Sequence, residues 1–135
     1  MQTILIVTVS LHVLVGVFWA GSTFALSRTG AAGVEQLAIP QLGAAVVAVL
    51  TGAVLWRFFQ NGPLGTSGKI LAVGIACALL AGGVQAVLGL RTIRRLGRAE
   101  PAEAGRLRGR LAIAQRVAAA LLTVTVISMA AARYV

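Results

Sequence analysis

The chain has 135 residues, 59% of them hydrophobic and only 11% charged, and a formal net charge of +9. A soluble domain of this size carries about 25% charged residues, so water is excluded as the solvent for most of this surface. The positive charge does not point to nucleic acid either. Eight of the twelve basic residues lie between Arg91 and Arg116, where they separate two apolar runs, and no aromatic residue is interleaved with them for base stacking.

Four apolar stretches follow in chain order. Residues 4–26 contain one ionisable side chain, His12. After a polar link carrying Arg28 and Glu35 come residues 38–56, then 70–90, then 111–132 with Arg116 near the start. Each is close to the roughly 20 residues that a helix needs to cross about 30 Å of hydrocarbon. Lipid offers the backbone no partner, so every stretch is predicted to be helical. The expected fold is all-α: one domain, an integral membrane four-helix bundle. The first span is expected to be retained, because Met1-Gln2-Thr3 carries no Lys or Arg and the apolar run exceeds an ordinary signal core. Gly43, Gly52, Gly74, Gly82, Gly83 and Gly89 lie inside spans and predict close backbone approaches.

The arginines set the direction. A cytoplasmic 91–116 connection puts Arg28 on the same side and leaves Arg57, Lys69 and Arg133 outside with both termini, nine basic residues against three. The expected location is a bacterial inner membrane, with both termini on the periplasmic side. The lipid bilayer is the expected partner, and the arginine cluster is expected to lie on anionic lipid.

The connections carry local signals. The first is expected over Ser27 to Pro40. Asn61-Gly62-Pro63 predicts a reversal in the second, with Trp56, Phe58 and Phe59 suited to the interface and Thr66 or Ser67 placed to cap the third helix. In the third, Glu100-Pro101 predicts a helix start that runs through Arg106, Arg108 and Arg110 into the fourth span.

His12 is the residue of greatest interest. It is the single histidine and lies roughly 12 Å into its span, where an ionisable group is a functional candidate by default. Thr8, His12, Gly16, Trp19 and Thr23 recur at steps of three and four and share a helical face. Gly16 leaves a gap beside the imidazole that would admit a flat macrocycle or a neighbouring helix. Three readings are open: a ligand to haem iron or a metal, a structural hydrogen bond across the bundle, or a proton relay. Haem ligation by two histidines of one chain is excluded, so a sixth ligand would be of another kind, absent, or from a second copy. The other internal polar groups are Thr51, Cys77, Gln85, Gln115, Thr123, Thr125 and Ser128; Met129 is a soft donor and Cys77 reads as packing. Lys69 is expected to snorkel to the interface. With no carboxylate inside a span and no Asp in the chain, a His/carboxylate metal site at depth and a Ser/His/Asp triad are both excluded.

Leu11-His12 followed by Trp19, Gly21, Phe24, Leu26 and Arg28 resembles the first helix of the copper-resistance D (CopD) family, in which a histidine precedes a Trp-x-Gly motif by two turns. The start is similar too to that of the HemJ-type protoporphyrinogen oxidases, small membrane proteins that bind haem. Gly68-Lys69-Ile70-Leu71-Ala72 looks like the start of the third helix in CopD-like proteins, and Lys69 stands where the HemJ type has a functional lysine. The resemblance implies a four-helix plan with His12 as ligand and Trp19 beside it. The later histidine and the Asn-Glu-x-Pro segment of the HemJ type have no counterpart here, which counts against porphyrinogen oxidation. Copper transport would call for more His or Met ligands.

The leading expectation is a membrane protein that binds b-type haem through His12, with Gly16, Trp19 and Lys69 contributing to the site, and that serves redox chemistry. Two readings of other classes stand beside it: a non-catalytic subunit of a larger membrane complex, and a copper or small-solute transporter working as a homodimer.

Overall fold

The computed structural model describes residues 1–60 and 62–135. Among them the chain forms four long helices and no strand: α1 (Gln2–Arg28), α2 (Val34–Phe59), α3 (Thr66–Leu96) and α4 (Pro101–Ala131). All four are long and apolar enough to cross a membrane. At 1.5 Å per residue they run roughly 39 to 46 Å, so their ends extend beyond the hydrocarbon into the headgroup layers. Ile4, Leu14, Val17, Ile39, Leu50, Leu80, Ile113 and Ile127 are each more than half exposed. An apolar exterior this continuous suits lipid rather than water.

Every helix is longer than the apolar stretch that announces it. The largest departure is at α2, which begins at Val34 and carries Pro40 inside it, so the expected 27–40 link shrinks to residues 29–33. Pro40 removes one backbone donor and crowds the Gln36 carbonyl four residues back, yet the helix runs through it. The reversal is made instead by left-handed backbone at Gly30 (φ 64°), Ala31 (φ 64°) and Gly33 (φ 79°). Neither Thr66 nor Ser67 caps α3: Gly65 occupies that position without a side-chain bond, and Ser67 Oγ donates to the Ala132 carbonyl at 2.6 Å. That bond ties the start of α3 to the end of α4. Asn61, and with it part of the expected 61–63 turn, lies outside the described residues. Glu100 does precede a helix with Pro101 in its first turn, and α4 runs unbroken through Arg106, Arg108 and Arg110.

α3 is interrupted once. Its α-helical part ends at Val84, a π-helical turn occupies Gln85–Gly89, and α-helix resumes at Leu90–Leu96. No local sequence pattern announces this turn.

α1 packs against α2 and α4, and α3 packs against α4. α2 and α3 touch little, and partly through the π turn. The bundle is therefore closed at mid-depth and open between α2 and α3 toward the end that carries the termini. α4 is the central helix and buries ten residues from Leu107 to Ser128. A cluster of Trp19, Ala44, Ala45, Ala48, Ala81, Ala118 and Leu122 fills the middle. A second, of Leu26, Ala31, Val34, Leu111 and Ala112, seals the arginine-rich end. There Arg108 Nη2 donates to Glu35 Oε1 at 2.8 Å, which holds the α1–α2 turn beside α4.

Of the six glycines, Gly74 makes the predicted close approach to a neighbouring backbone, while Gly52 and Gly82 make room for side chains. A Cβ on Gly74 would stand 3.0 Å from Ser128 Cβ and 3.3 Å from the Thr125 carbonyl, one on Gly52 would stand 3.2 Å from His12 Cε1, and one on Gly82 would stand 3.7 Å from Trp19. Gly43, Gly83 and Gly89 meet nothing within 4 Å and serve no such contact.

Candidate functional site

The gap between α2 and α3 forms a cleft of about 330 Å³, reaching from mid-depth toward the end that carries the termini. Its lining comes from all four helices and includes His12, Gly16 and Trp19 of α1, Gly52 and Trp56 of α2, Ala78 of α3 and Met129 of α4. The wall is almost wholly apolar, so the few polar atoms that reach it dominate what it can recognise.

His12 is the chief of these. Its imidazole lies against Gly52, where any side chain would crowd Cε1. Nδ1 sits 2.9 Å from Thr51 Oγ1. The direction of that bond follows from the hydroxyl. Thr51 has one proton, and the helix behind it presents the Val47 carbonyl at 2.7 Å and the Ala48 carbonyl at 3.1 Å as acceptors. A hydroxyl proton directed to either carbonyl leaves Oγ1 as the acceptor, and Nδ1 then carries the hydrogen. Nε2 is then the nitrogen with the free lone pair. It bonds to no described residue, and it is not sealed off by neighbouring atoms. Fixing one ring nitrogen to a neighbour so that the other is presented as a donor atom is how ligand histidines are commonly oriented.

Below the imidazole, the indole of Trp19 forms part of the cleft wall and is 3% exposed. Its Nε1–H donates to Gln85 Oε1 at 2.6 Å. Gln85 lies at the first position of the π turn and donates in turn to Thr23 Oγ1 at 2.9 Å and to Gln115 Oε1 at 3.2 Å. Gln115 donates to Gln41 Oε1 at 3.4 Å, and Gln41 returns to α1 through Thr23 Oγ1 at 3.0 Å and Ser22 Oγ at 3.1 Å. Thr23 closes the circuit by donating to the Trp19 carbonyl at 2.7 Å. One glutamine from each of α2, α3 and α4 thus meets the Trp19–Thr23 face of α1. Among the described residues, no buried side-chain nitrogen or oxygen is left without a partner.

The structure brings His12, Gly16 and Trp19 to one cleft but leaves Lys69 outside it. Lys69 is exposed in the first turn of α3 and does not line the cleft. Gly16 meets nothing within 4 Å, so the expected gap beside the imidazole is present. Met129 lines the same cleft as His12, whereas Cys77 is half-buried and does not. No group of three or more His, Cys, Asp or Glu that could hold a metal ion exists among the described residues. Two features escaped the sequence. Thr51 stood out as an internal polar residue without an assigned partner, and Gln41, next to Pro40, fell at a presumed span boundary. A search for polar residues at matched depth would have joined Gln41 to Gln85 and Gln115.

Comparisons of the chain with protein-family models, with curated proteins and with solved structures find no match.

Proposed function

We propose that this is a multi-pass inner-membrane protein that binds b-type haem in the α2–α3 cleft, where His12 would hold the iron through Nε2, and that it serves membrane redox chemistry. The observation that carries this reading is the His12–Thr51 bond: with Nδ1 as its donor, Nε2 keeps a lone pair on a residue that lines an otherwise apolar cleft. The donor set fits the group. Gly16 and Gly52 keep the space around the imidazole clear, and Trp19 and Trp56 offer flat apolar surface. Met129 is a soft donor in the same cleft and would be the second residue able to hold the iron. Arg57, one residue beyond Trp56, is the nearest cation in sequence for the carboxylates of such a macrocycle. The resemblance of the His12 and Trp19-x-Gly21 segment to CopD-like and HemJ-type first helices points the same way.

Bound haem would supply one-electron chemistry, while the chain holds and orients it and keeps water from it. Thr51 fixes the ring of His12, Trp19 closes the inner end, and Gln85 holds Trp19 in place. Transport has weaker support. The glutamines beneath the cleft are spent on one another, so the interior offers no run of free polar groups to lead an ion through. The placement of nine basic residues at one end supports that end as cytoplasmic, with both termini outside.

The test is an absorption spectrum of the protein purified from membranes of haem-sufficient cells. A Soret band that shifts on reduction, with no more than one haem per chain, is the expected result. A colourless protein that cannot be reconstituted with haemin overturns the reading.

A further inference from the structure

A second concave site lies at the opposite end of the molecule. α3 continues past its apolar stretch as Leu90–Leu96. Ile93 and Leu96 turn inward onto the cluster around Leu26, Val34 and Leu111. The same helical spacing turns Arg91, Arg94 and Arg95 outward, all exposed. Arg94, Arg95 and Arg98, with Ala99 and Glu103, line a hollow of about 580 Å³. The side chains of these three arginines make no hydrogen bond or ion pair with any described residue, and the one ion pair at this end, Arg108–Glu35, lies elsewhere.

Depth and charge identify what this hollow would take. Arg94 follows the end of the apolar stretch by one helical turn, roughly 6 Å, which is headgroup depth in a bilayer. Just below, Val87 and Leu88 are about half exposed and offer contact for acyl chains. Three guanidinium groups against the Glu103 carboxylate leave an excess of two positive charges. One phosphodiester neutralises half of that; two neutralise all of it. Guanidinium is also the side chain best shaped to grip phosphate oxygens in pairs.

We propose that the Arg94–Arg95–Arg98 hollow binds the headgroup of an anionic lipid carrying two phosphodiesters, in the leaflet at the arginine-rich end. This site is independent of the haem reading and needs no residue of the cleft. A soluble diphosphate shares the headgroup's chemistry, and the experiment separates the two sources.

The test uses the detergent-purified, delipidated chain, so the direction of membrane insertion does not enter. Native mass spectrometry measures retention of added cardiolipin, phosphatidylglycerol and phosphatidylcholine. Cardiolipin should be retained in preference to the other two. R94Q/R95Q/R98Q should lower its retention by about tenfold or more, whereas R28Q/R106Q/R110Q, an equal charge loss at the same end, should lower it by less than about threefold. If the glutamine variant does not yield folded protein, R94K/R95K/R98K keeps the charge while losing the paired grip, and retention should still fall several-fold. Equal losses in the two glutamine variants, undiminished retention in the lysine variant, or no preference for cardiolipin would overturn the proposal. Complete displacement of cardiolipin by sodium pyrophosphate would assign the hollow to a soluble phosphate and overturn the lipid.

Discussion

His12 and Thr51 meet across α1 and α2 with 2.9 Å between Nδ1 and Oγ1, and the direction of that bond decides which ring nitrogen serves the cleft. With its proton directed to its own helix, Thr51 acts on His12 as an acceptor. Thr51→Val keeps the shape and removes the acceptor. The ring then loses its fixed tautomer, and haem affinity should fall roughly 10- to 100-fold, the usual effect of losing such a support. Thr51→Ser should retain most of it. Titration of the apoprotein with haemin measures both, and equal affinity for the valine variant and the wild type would deny the bond any role.

Gly52 provides the seat of the imidazole. A methyl group there would stand 3.2 Å from Cε1 and 3.7 Å from Nδ1. Alanine should shift the ring by a few tenths of an ångström and weaken haem binding, while leucine should push it out of place and abolish binding. Helicity should not fall in either variant, because glycine is the weaker helix former. Circular dichroism beside the haemin titration separates a displaced ligand from a damaged fold.

The Gln41–Gln85–Gln115 network gives a stability prediction. Gln85→Leu deprives the Trp19 indole of its acceptor and takes a donor from both Thr23 and Gln115. Inside a membrane such bonds contribute about 0.6 to 2 kcal/mol each, and this variant breaks three at a buried site, so a loss of about 2–6 kcal/mol is expected. Gln115→Leu alone should cost less. The double variant should lose less than the two losses combined, because the residues share one network. Unfolding in mixed micelles measures all three, and strict additivity would contradict a connected network.

Two glycines, one closing the first connection and one inside α2, provide a paired backbone test. Gly33 has φ 79° and open space where a Cβ would go, so Gly33→Ala adds backbone strain without a clash and should destabilise by about 1 kcal/mol. Gly43 lies inside α2 with no neighbour in reach, so Gly43→Ala should be neutral or stabilising by up to about 1 kcal/mol. The same unfolding assay should give opposite signs.

The four helices were legible in the sequence because lipid forces apolar runs to pair their backbones internally, whatever their side chains. Their ends were less so. Pro40 marked a boundary by its usual behaviour, but the left-handed residues Gly30, Ala31 and Gly33 make the turn earlier. The α1 face of His12, Gly16 and Trp19 was legible because all three lie on one helix, where spacing alone fixes direction. Thr51, Gly52 and the three glutamines depend on how separate helices dock, which spacing within a single segment does not contain. The π turn at Gln85 belongs with these, since it accompanies a contact between α3 and the rest of the bundle.

The central claim is that Nε2 of His12 faces the α2–α3 cleft as a ligand. Replacing His12 by glycine removes the ligand and leaves a hollow that free imidazole can enter. The account predicts that His12→Gly loses the Soret band shown by the wild type, and that added imidazole restores it in proportion to its concentration. An unchanged band in His12→Gly, or no band in the wild type after haemin is supplied, would contradict it.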